Sequence, residues 1–348
     1  MLKSEDINLS SKEELHRECA SAKEALKRSF GLGQIIGKSE AVRELHKKIE
    51  QISPCNINVL ISGESGTGKE LVARAIHYLS LRAEKPFIPV NCSAIPEYLF
   101  ENELFGHVKG AFTGACDHHN GLVKEAEGGA LFLDEIGTIS PNIQAKLLRL
   151  LQDKEYKPLG SPKPKNADIR IIAATNKDLY TLVREGAFRE DLYYRLDILS
   201  IYLPPLRERR DDIPLLIAHF IKKYSREYNK PEIELSQTLI NKFAAYNWPG
   251  NIRELENKIQ QMIVMPSYPV ITDSNITLTT EKLIKESETE CLKTVKKRNS
   301  SSFERAYLNQ LLKEHGGNVA MAARKAGKSR TGLWNLIKKH NLSPKEFM

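Results

Sequence analysis

The stretch that most restricts the fold is Asn58-Val59-Leu60-Ile61-Ser62 running into Gly63-Glu64-Ser65-Gly66-Thr67-Gly68-Lys69, with the helical Glu70-Leu71-Val72-Ala73-Arg74-Ala75-Ile76 behind it. A strand, a glycine loop and a helix in that order turn backbone N–H groups toward phosphate oxygens and add the positive end of a helix. They also place Lys69 within reach of the terminal phosphates. Such a unit sits in a parallel sheet. Four more apolar runs supply one: Phe87–Asn91, Ala130–Asp134, Asp168–Ala173 and Leu199–Leu203, separated by helical sequence. Together they predict an α/β fold with both faces of the sheet covered.

Asp134-Glu135 lies at the end of the Ala130–Asp134 run, at the sheet edge where open α/β sheets place ligands. Asp134 there would hold Mg²⁺, directly or through water, and Glu135 would polarise the attacking water of a nucleoside triphosphate. Glu70 stands where the general pattern has a Ser or Thr on the metal, so Mg²⁺ leans on other ligands. Asn176, after Ile171-Ile172-Ala173-Ala174-Thr175, is placed to orient the water or sense the γ-phosphate. Arg189 and Arg195, in Phe188-Arg189-Glu190-Asp191-Leu192-Tyr193-Tyr194-Arg195, are candidates to stabilise charge during transfer, and Arg253 to close a helical domain over the nucleotide. On residue type alone each of these arginines reads first as a surface ion-pair partner.

Beyond Leu203-Pro204-Pro205-Leu206 the strand signal stops, and residues 212 to about 266 read as helices interrupted at Trp248-Pro249-Gly250. Residues 274 to 348 hold 15 Lys/Arg against 7 Asp/Glu, enough to account for the net charge of +8 of all 348 residues, and a basic terminal module points to nucleic acid. Within it, His315 to Gly327 gives a short helix with Ala322-Ala323 on its packing face. Ser329 then N-caps a second helix whose Leu333, Leu336 and Ile337 share one side. That leaves Arg330, Thr331, Asn335 and Lys338 outward, and Ser329 beside them, as the candidate DNA face. Gly332 weakens this helix by about 1 kcal/mol relative to Ala.

No apolar run reaches the roughly 18 residues of a membrane span, and the N-terminus lacks the apolar core of a signal peptide, so a cytoplasmic protein is expected. Cys19, Cys55, Cys92, Cys116 and Cys291 are scattered without metal-site or disulfide spacing. Between Lys69 and Asp134 lies Gly110-Ala111-Phe112-Thr113-Gly114-Ala115, a Phe set among glycines and small residues. It is poor core material and a good exposed tip.

With these segments in order, the chain resembles sigma-54-dependent transcriptional activators, the bacterial enhancer-binding proteins of the AAA+ family, from about Ile35 to Asn341. Gly63 to Glu70 is similar to the family's phosphate loop, including its Glu, and Gly110 to Ala115 to the loop that touches sigma-54. The resemblance implies a short segment at 1–34, helical or disordered, and an AAA+ P-loop α/β subdomain at 35–205 with a helical lid at 206–272. A linker at 273–302 and a Fis-type helix-turn-helix at 303–348 follow, the latter with a dimerising helix at 303–312. It also implies ATP with Mg²⁺, adenine packed at Ile36-Gly37, and Asn91 holding Glu135 inactive until the γ-phosphate is read. By the same resemblance Phe112, supported by Thr113, touches sigma-54. Arg189 and Arg195 are fingers given to the next subunit, and Arg253 is the second sensor.

Partners implied are sigma-54 RNA polymerase, double-stranded enhancer DNA and other copies of the chain, dimers assembling into a ring of six or seven. The short N-terminus leaves control to a partner protein, expression level or ring assembly. Two other functions fit part of the sequence: a DNA-binding regulator that senses nucleotide without remodelling polymerase, and a replication or DNA-remodelling ATPase.

Overall fold

The computed structural model describes residues 31–264, 270–271, 308, 311–313, 315–316, 318–339 and 342. The expected N-terminal segment up to residue 30, the linker, and most of the 303–312 helix lie outside these residues. The chain divides into two units, 1–271 and 272–348.

In the first unit, α1 (Glu40–Ile52), β1 (Val59–Ser62), α2 (Lys69–Tyr78), β2 (Phe87–Asn91), α3 (Glu97–Phe105), β3 (Gly106–His107), β4 (His119–Asn120), α4 (Leu122–Glu125) and β5 (Ala130–Asp134) come first. They are followed by α5 (Pro141–Asp153), β6 (Glu155–Tyr156), β7 (Lys165–Asn166), β8 (Arg170–Thr175), α6 (Leu179–Arg184), α7 (Glu190–Leu196) and β9 (Leu199–Tyr202). Five strands form one parallel sheet in the order β2-β5-β8-β1-β9. Side chains alternate between its faces, as the two-residue period of a strand requires. Leu131, Leu133, Ile171 and Ala173 pack under α3 and α5, while Ala130, Phe132, Ile172 and Ala174 pack under α1 and α2.

The expected 168–173 strand is observed at 170–175. Its first residue, Arg170, is buried and donates to the carbonyls of Ile52, Ser53 and Ile57 at 3.0–3.1 Å, closing the C-terminal end of α1. Two short pairs, β3 with β4 and β6 with β7, are antiparallel excursions from the sheet.

After β9 come α8 (Ile213–Glu227), β10 (Glu234–Leu235), α9 (Gln237–Ala245), α10 (Asn251–Val264) and β11 (Val270–Ile271), the two short strands pairing in parallel. The Trp248-Pro249-Gly250 interruption is the turn between α9 and α10. Trp248 is fully buried there, and its indole N–H donates to the Phe243 carbonyl at 2.7 Å. Among the described residues no helix is long and apolar enough to cross a membrane. The second unit contains α11 (Val319–Lys325) and α12 (Arg330–Lys339), whose Ala322, Ala323, Leu333 and Ile337 pack with Leu308, Leu311 and Leu312.

Candidate functional site

Strand register sets the site. Asn91 pairs with Asp134, and Ser62 with Thr175, so Asn91, Asp134-Glu135, Asn176 and Gly63 all leave one edge of the sheet on neighbouring strands. The glycine loop has left-handed backbone at Gly63, Gly66 and Gly68, with φ of 155°, 77° and 98°. At Gly66 a Cβ would lie 2.3 Å from the Gly250 carbonyl oxygen, so only glycine permits that approach of the lid. Lys69 begins α2, is buried, and donates to the carbonyls of Gly63 at 3.0 Å and Glu64 at 3.2 Å. Burial pushes its ammonium pKa down against the pull of Glu135 and Asp134.

A cavity of about 530 Å³ opens at this edge and is lined by Ile36, the loop from Ser65 to Glu70, Asn91, Asp134, Glu135 and Arg253. Its other wall includes Leu216, Phe220 and Ile252 of the lid. One end thus offers apolar side chains to a base. The other offers an ammonium, loop amides and two carboxylates to phosphates and a cation. Gly37 lies outside the lining, and a Cβ added there would fall 2.8 Å from Asp212 Oδ2. Asp212 in turn accepts from the Lys38 and Ser39 amides at 2.6 and 2.8 Å, which ties the segment after Ile36 to the start of α8.

The lid grips the loop at several points. Arg207 makes a bidentate pair with Glu64, and together with Asn251 holds its carboxyl below the usual range. Asn251 donates to Glu64 and to the Ser65 carbonyl while accepting from the Leu206 amide. The amides of Ile252 and Arg253 reach the Gly66 carbonyl, the Arg253 guanidinium reaches Ser65 Oγ at 3.4 Å, and Arg209 donates to the Thr67 carbonyl. Sequence reasoning singled out Arg253 and missed Arg207, Arg209, Asn251 and Asp212. Asn251 follows Trp248-Pro249-Gly250 directly and lies two residues before Arg253; the others join partners more than 140 residues away, which no local pattern reveals.

Glu70 is taken up by Arg74 one turn on, at 2.7–2.9 Å. Thr67 Oγ1 donates to the Glu64 carbonyl. Asp134 accepts from the Glu135 amide, and Glu135 has left-handed backbone, φ 55°. Asn91 Oδ1 accepts from the Ser93 amide and hydroxyl at 3.0 and 2.7 Å, and no described hydrogen bond joins it to Glu135. Asn176 is exposed just beyond β8 and does not line the cavity. Arg189 forms the local ion pair its residue type suggested, with Asp191. Arg195 is exposed on α7, and neither finger candidate lines this chain's own cavity.

The loop from Gly110 to Ala115 projects from the β3–β4 ribbon. It closes through Gly110 N to Ala115 O at 2.9 Å, with Gly110 and Gly114 left-handed. Phe112 is 46% exposed, its ring 5.0 Å from that of His107, which is held by Asn102 Oδ1 at 2.6 Å. Thr113 is exposed beside it and Ala115 is buried at the base. Ala111 lies against Gly160, where a Cβ would come within 2.7 Å of its own.

In the second unit Ser329 Oγ accepts from the Gly332 amide at 3.1 Å, so its hydroxyl serves as helix cap. Arg330, Thr331, Asn335 and Lys338 are exposed opposite the buried Leu333 and Ile337.

A parallel sheet carrying a glycine loop at its edge, closed by a helical lid, defines a P-loop NTPase of the AAA+ class. A family model described as Sigma-54 interaction domain matches residues 35–202, one described as AAA+ ATPase lid domain matches 207–293, and one described as Bacterial regulatory protein, Fis family, matches 301–340. The chain belongs to the sigma-54-dependent transcriptional activators, with a DNA-binding helix-turn-helix of the Fis type. It is 43% identical to the regulatory protein AtoC of Escherichia coli over 95% of this chain and 72% of that protein. To the nitrogen fixation protein AnfA of Azotobacter vinelandii it is 42% identical over 96% of this chain and 62% of that one. The crystal structure of NtrX from Brucella abortus in complex with ATP superposes with a TM-score of 0.68 at 31% identity, over 96% of this chain and 75% of that chain.

Proposed function

We propose that this chain hydrolyses ATP in a ring of six or seven copies and uses the cycle to convert the sigma-54 RNA polymerase closed complex into the open one, acting through Gly110–Ala115 while bound at enhancer DNA. The observation that carries the reading is the shared descent of site and lever: Asn91, on the cavity wall, leads through α3 into the ribbon that bears Phe112.

The cavity fits Mg·ATP. The glycine-loop amides and Lys69 suit the phosphates, and Ile36 suits the base. Among the described residues no cluster of three protein ligands could hold a metal by itself. Mg²⁺ would therefore rest on Asp134 together with nucleotide oxygens and water. When bound, the ion neutralises charge on the phosphates. Lys69 orients them, Glu135 holds and polarises the water, and Arg253 closes the lid. The two bonds that Ser93 donates to Asn91 Oδ1 are the ones to exchange if the Asn91 side chain is to turn to Glu135. With Arg189 and Arg195 outside their own cavity, a neighbouring subunit would receive them.

Replacing Phe112 or Thr113 by Ala is expected to leave ATP hydrolysis within about twofold and to abolish open-complex formation. Equal activation by these variants would sink the reading. ATP turnover absent from the assembled protein, with nucleotide-dependent DNA binding kept, would favour a regulator that only senses nucleotide.

A further inference from the structure

The outward stripe of α12 is Thr331, Trp334, Asn335 and Lys338, spaced i, i+3, i+4 and i+7, and all four residues are exposed. The opposite side is committed to the core, where Leu333 and Ile337 are buried. Three members of the stripe carry a hydroxyl, an amide and an ammonium group. The fourth puts an indole in the middle, 42% exposed. The sequence reading of the DNA face passed over it.

Position and chemistry together narrow what this indole meets. In a helix-turn-helix the N-terminal part of the second helix reaches base edges, and Trp334 is the fifth residue of a helix that starts at Arg330. Lys338 falls in the last turn and suits a phosphate. An indole has one N–H donor and no acceptor, so most of what it offers a base edge is apolar surface. The apolar feature that the major groove presents beside its donors and acceptors is the C5-methyl of thymine.

We propose that Trp334 is a specificity-determining residue of the DNA site, its indole packing on the methyl group of a thymine in the major groove. The proposal rests on the DNA-binding reading of the helix pair. Asn335, next to it on the stripe, has the paired donor and acceptor that match an adenine edge.

The test uses the whole 348-residue chain to select a preferred duplex from a random-sequence library. Each thymine of that duplex is then replaced in turn by deoxyuridine, which removes only the methyl. Wild-type protein is expected to lose about fourfold in affinity at one thymine of a half-site, the worth of one buried methyl. Trp334→Ala should bind the thymine duplex about as weakly as wild type binds the deoxyuridine one, and be indifferent to the replacement. Trp334→Phe, which keeps an apolar ring, retains the discrimination. Binding of the variants to unrelated duplex at low salt, governed by phosphate contacts, stays within about twofold of wild type and reports a folded unit. Indifference of wild type to every deoxyuridine substitution, or methyl dependence that persists in Trp334→Ala, overturns the proposal. A selection that enriches no sequence overturns the DNA-binding reading itself, and the proposal falls with it.

Discussion

Arg207 holds Glu64 through two hydrogen bonds of 2.9 and 2.7 Å, so the second residue of the glycine loop is fastened to the first turn of the lid. The pair spans 143 residues of sequence and sets how the lid meets the loop that faces the phosphates. Arg207→Ala is expected to weaken nucleotide binding by about threefold to tenfold, with little change in unfolding midpoint because the pair is largely solvated. Titration with a fluorescent nucleotide checks it. The depressed Glu64 pKa fixes the sign with pH: the clamp is complete above the ordinary value of 4.5 and is lost as pH falls through the lower folded value.

His77 on α2 gives a second pH dependence. It is buried, Nε2 lies 3.0 Å from the Lys85 carbonyl and so carries the proton, and Nδ1 has no partner. Burial pushes its pKa from 6.5 down to about 4. Between those values the unfolded chain binds the proton and the folded one does not, so stability rises with pH there and is lost as pH falls from 6.5 toward 4. The full effect is at most about 3 kcal/mol. His77→Gln keeps a donor for Lys85, and thermal unfolding of that variant should lose most of this slope. A slope unchanged in the variant would assign it to other groups.

Much of this was written in local sequence. The five strands, the glycine loop, Asp134-Glu135 and the amphipathic stripe of α12 follow from period and composition, and the strand ends found in the structure differ by two residues at most. What sequence could not show is where separated segments meet. Arg209 and Asp212 carry no local pattern that marks them, yet each satisfies backbone groups of the α/β layer. Arg170 lies within an apolar run and is a buried cap on α1, reached only through the fold. Two-residue pairings such as β10 with β11 are too short to leave a periodic signal. Trp334 shares a helix face with Thr331, Asn335 and Lys338, but an indole, apolar by type, does not declare itself as a surface residue in the sequence.

Asn251 combines strain with obligation. Its φ of 54° is left-handed, a conformation Asn tolerates better than most residues, and its buried amide joins Leu206, Glu64 and Ser65. Asn251→Ala should destabilise the first unit by about 2–4 kcal/mol, since it strains the backbone and strands the Leu206 amide. Asn251→Gly relieves the strain and should recover roughly 1 kcal/mol of that loss. Denaturant unfolding of both variants gives the order, and Gly no better than Ala would remove backbone strain from the account.

Gly160 supports the Gly110–Ala115 loop from outside it. Its φ is 71°, and any Cβ would press on Ala111 next to Phe112. Gly160→Val should therefore displace the loop tip while the cavity stays intact. The expected result is ATP hydrolysis within about twofold of wild type and open-complex formation reduced by about tenfold or more. Parallel losses in both assays would mean that Gly160 matters to the fold rather than to the loop.

Arg195 and Glu135 provide the test of assembly. Glu135 lines the cavity of its own chain and Arg195 does not, and in the proposed ring the two would come from neighbouring copies. Glu135→Gln and Arg195→Ala proteins are each expected to hydrolyse ATP at least about a hundredfold more slowly than wild type. Mixed in equal amounts and allowed to exchange subunits, they place an intact Glu135 beside an intact Arg195 at about a quarter of interfaces, and should regain about that fraction of wild-type rate. Recovery depends on exchange, so it should be absent when each protein is crosslinked into rings before mixing. Two inactive proteins that remain inactive together, despite demonstrated mixed rings, would place the finger and the glutamate in one chain and undo the proposed ring mechanism.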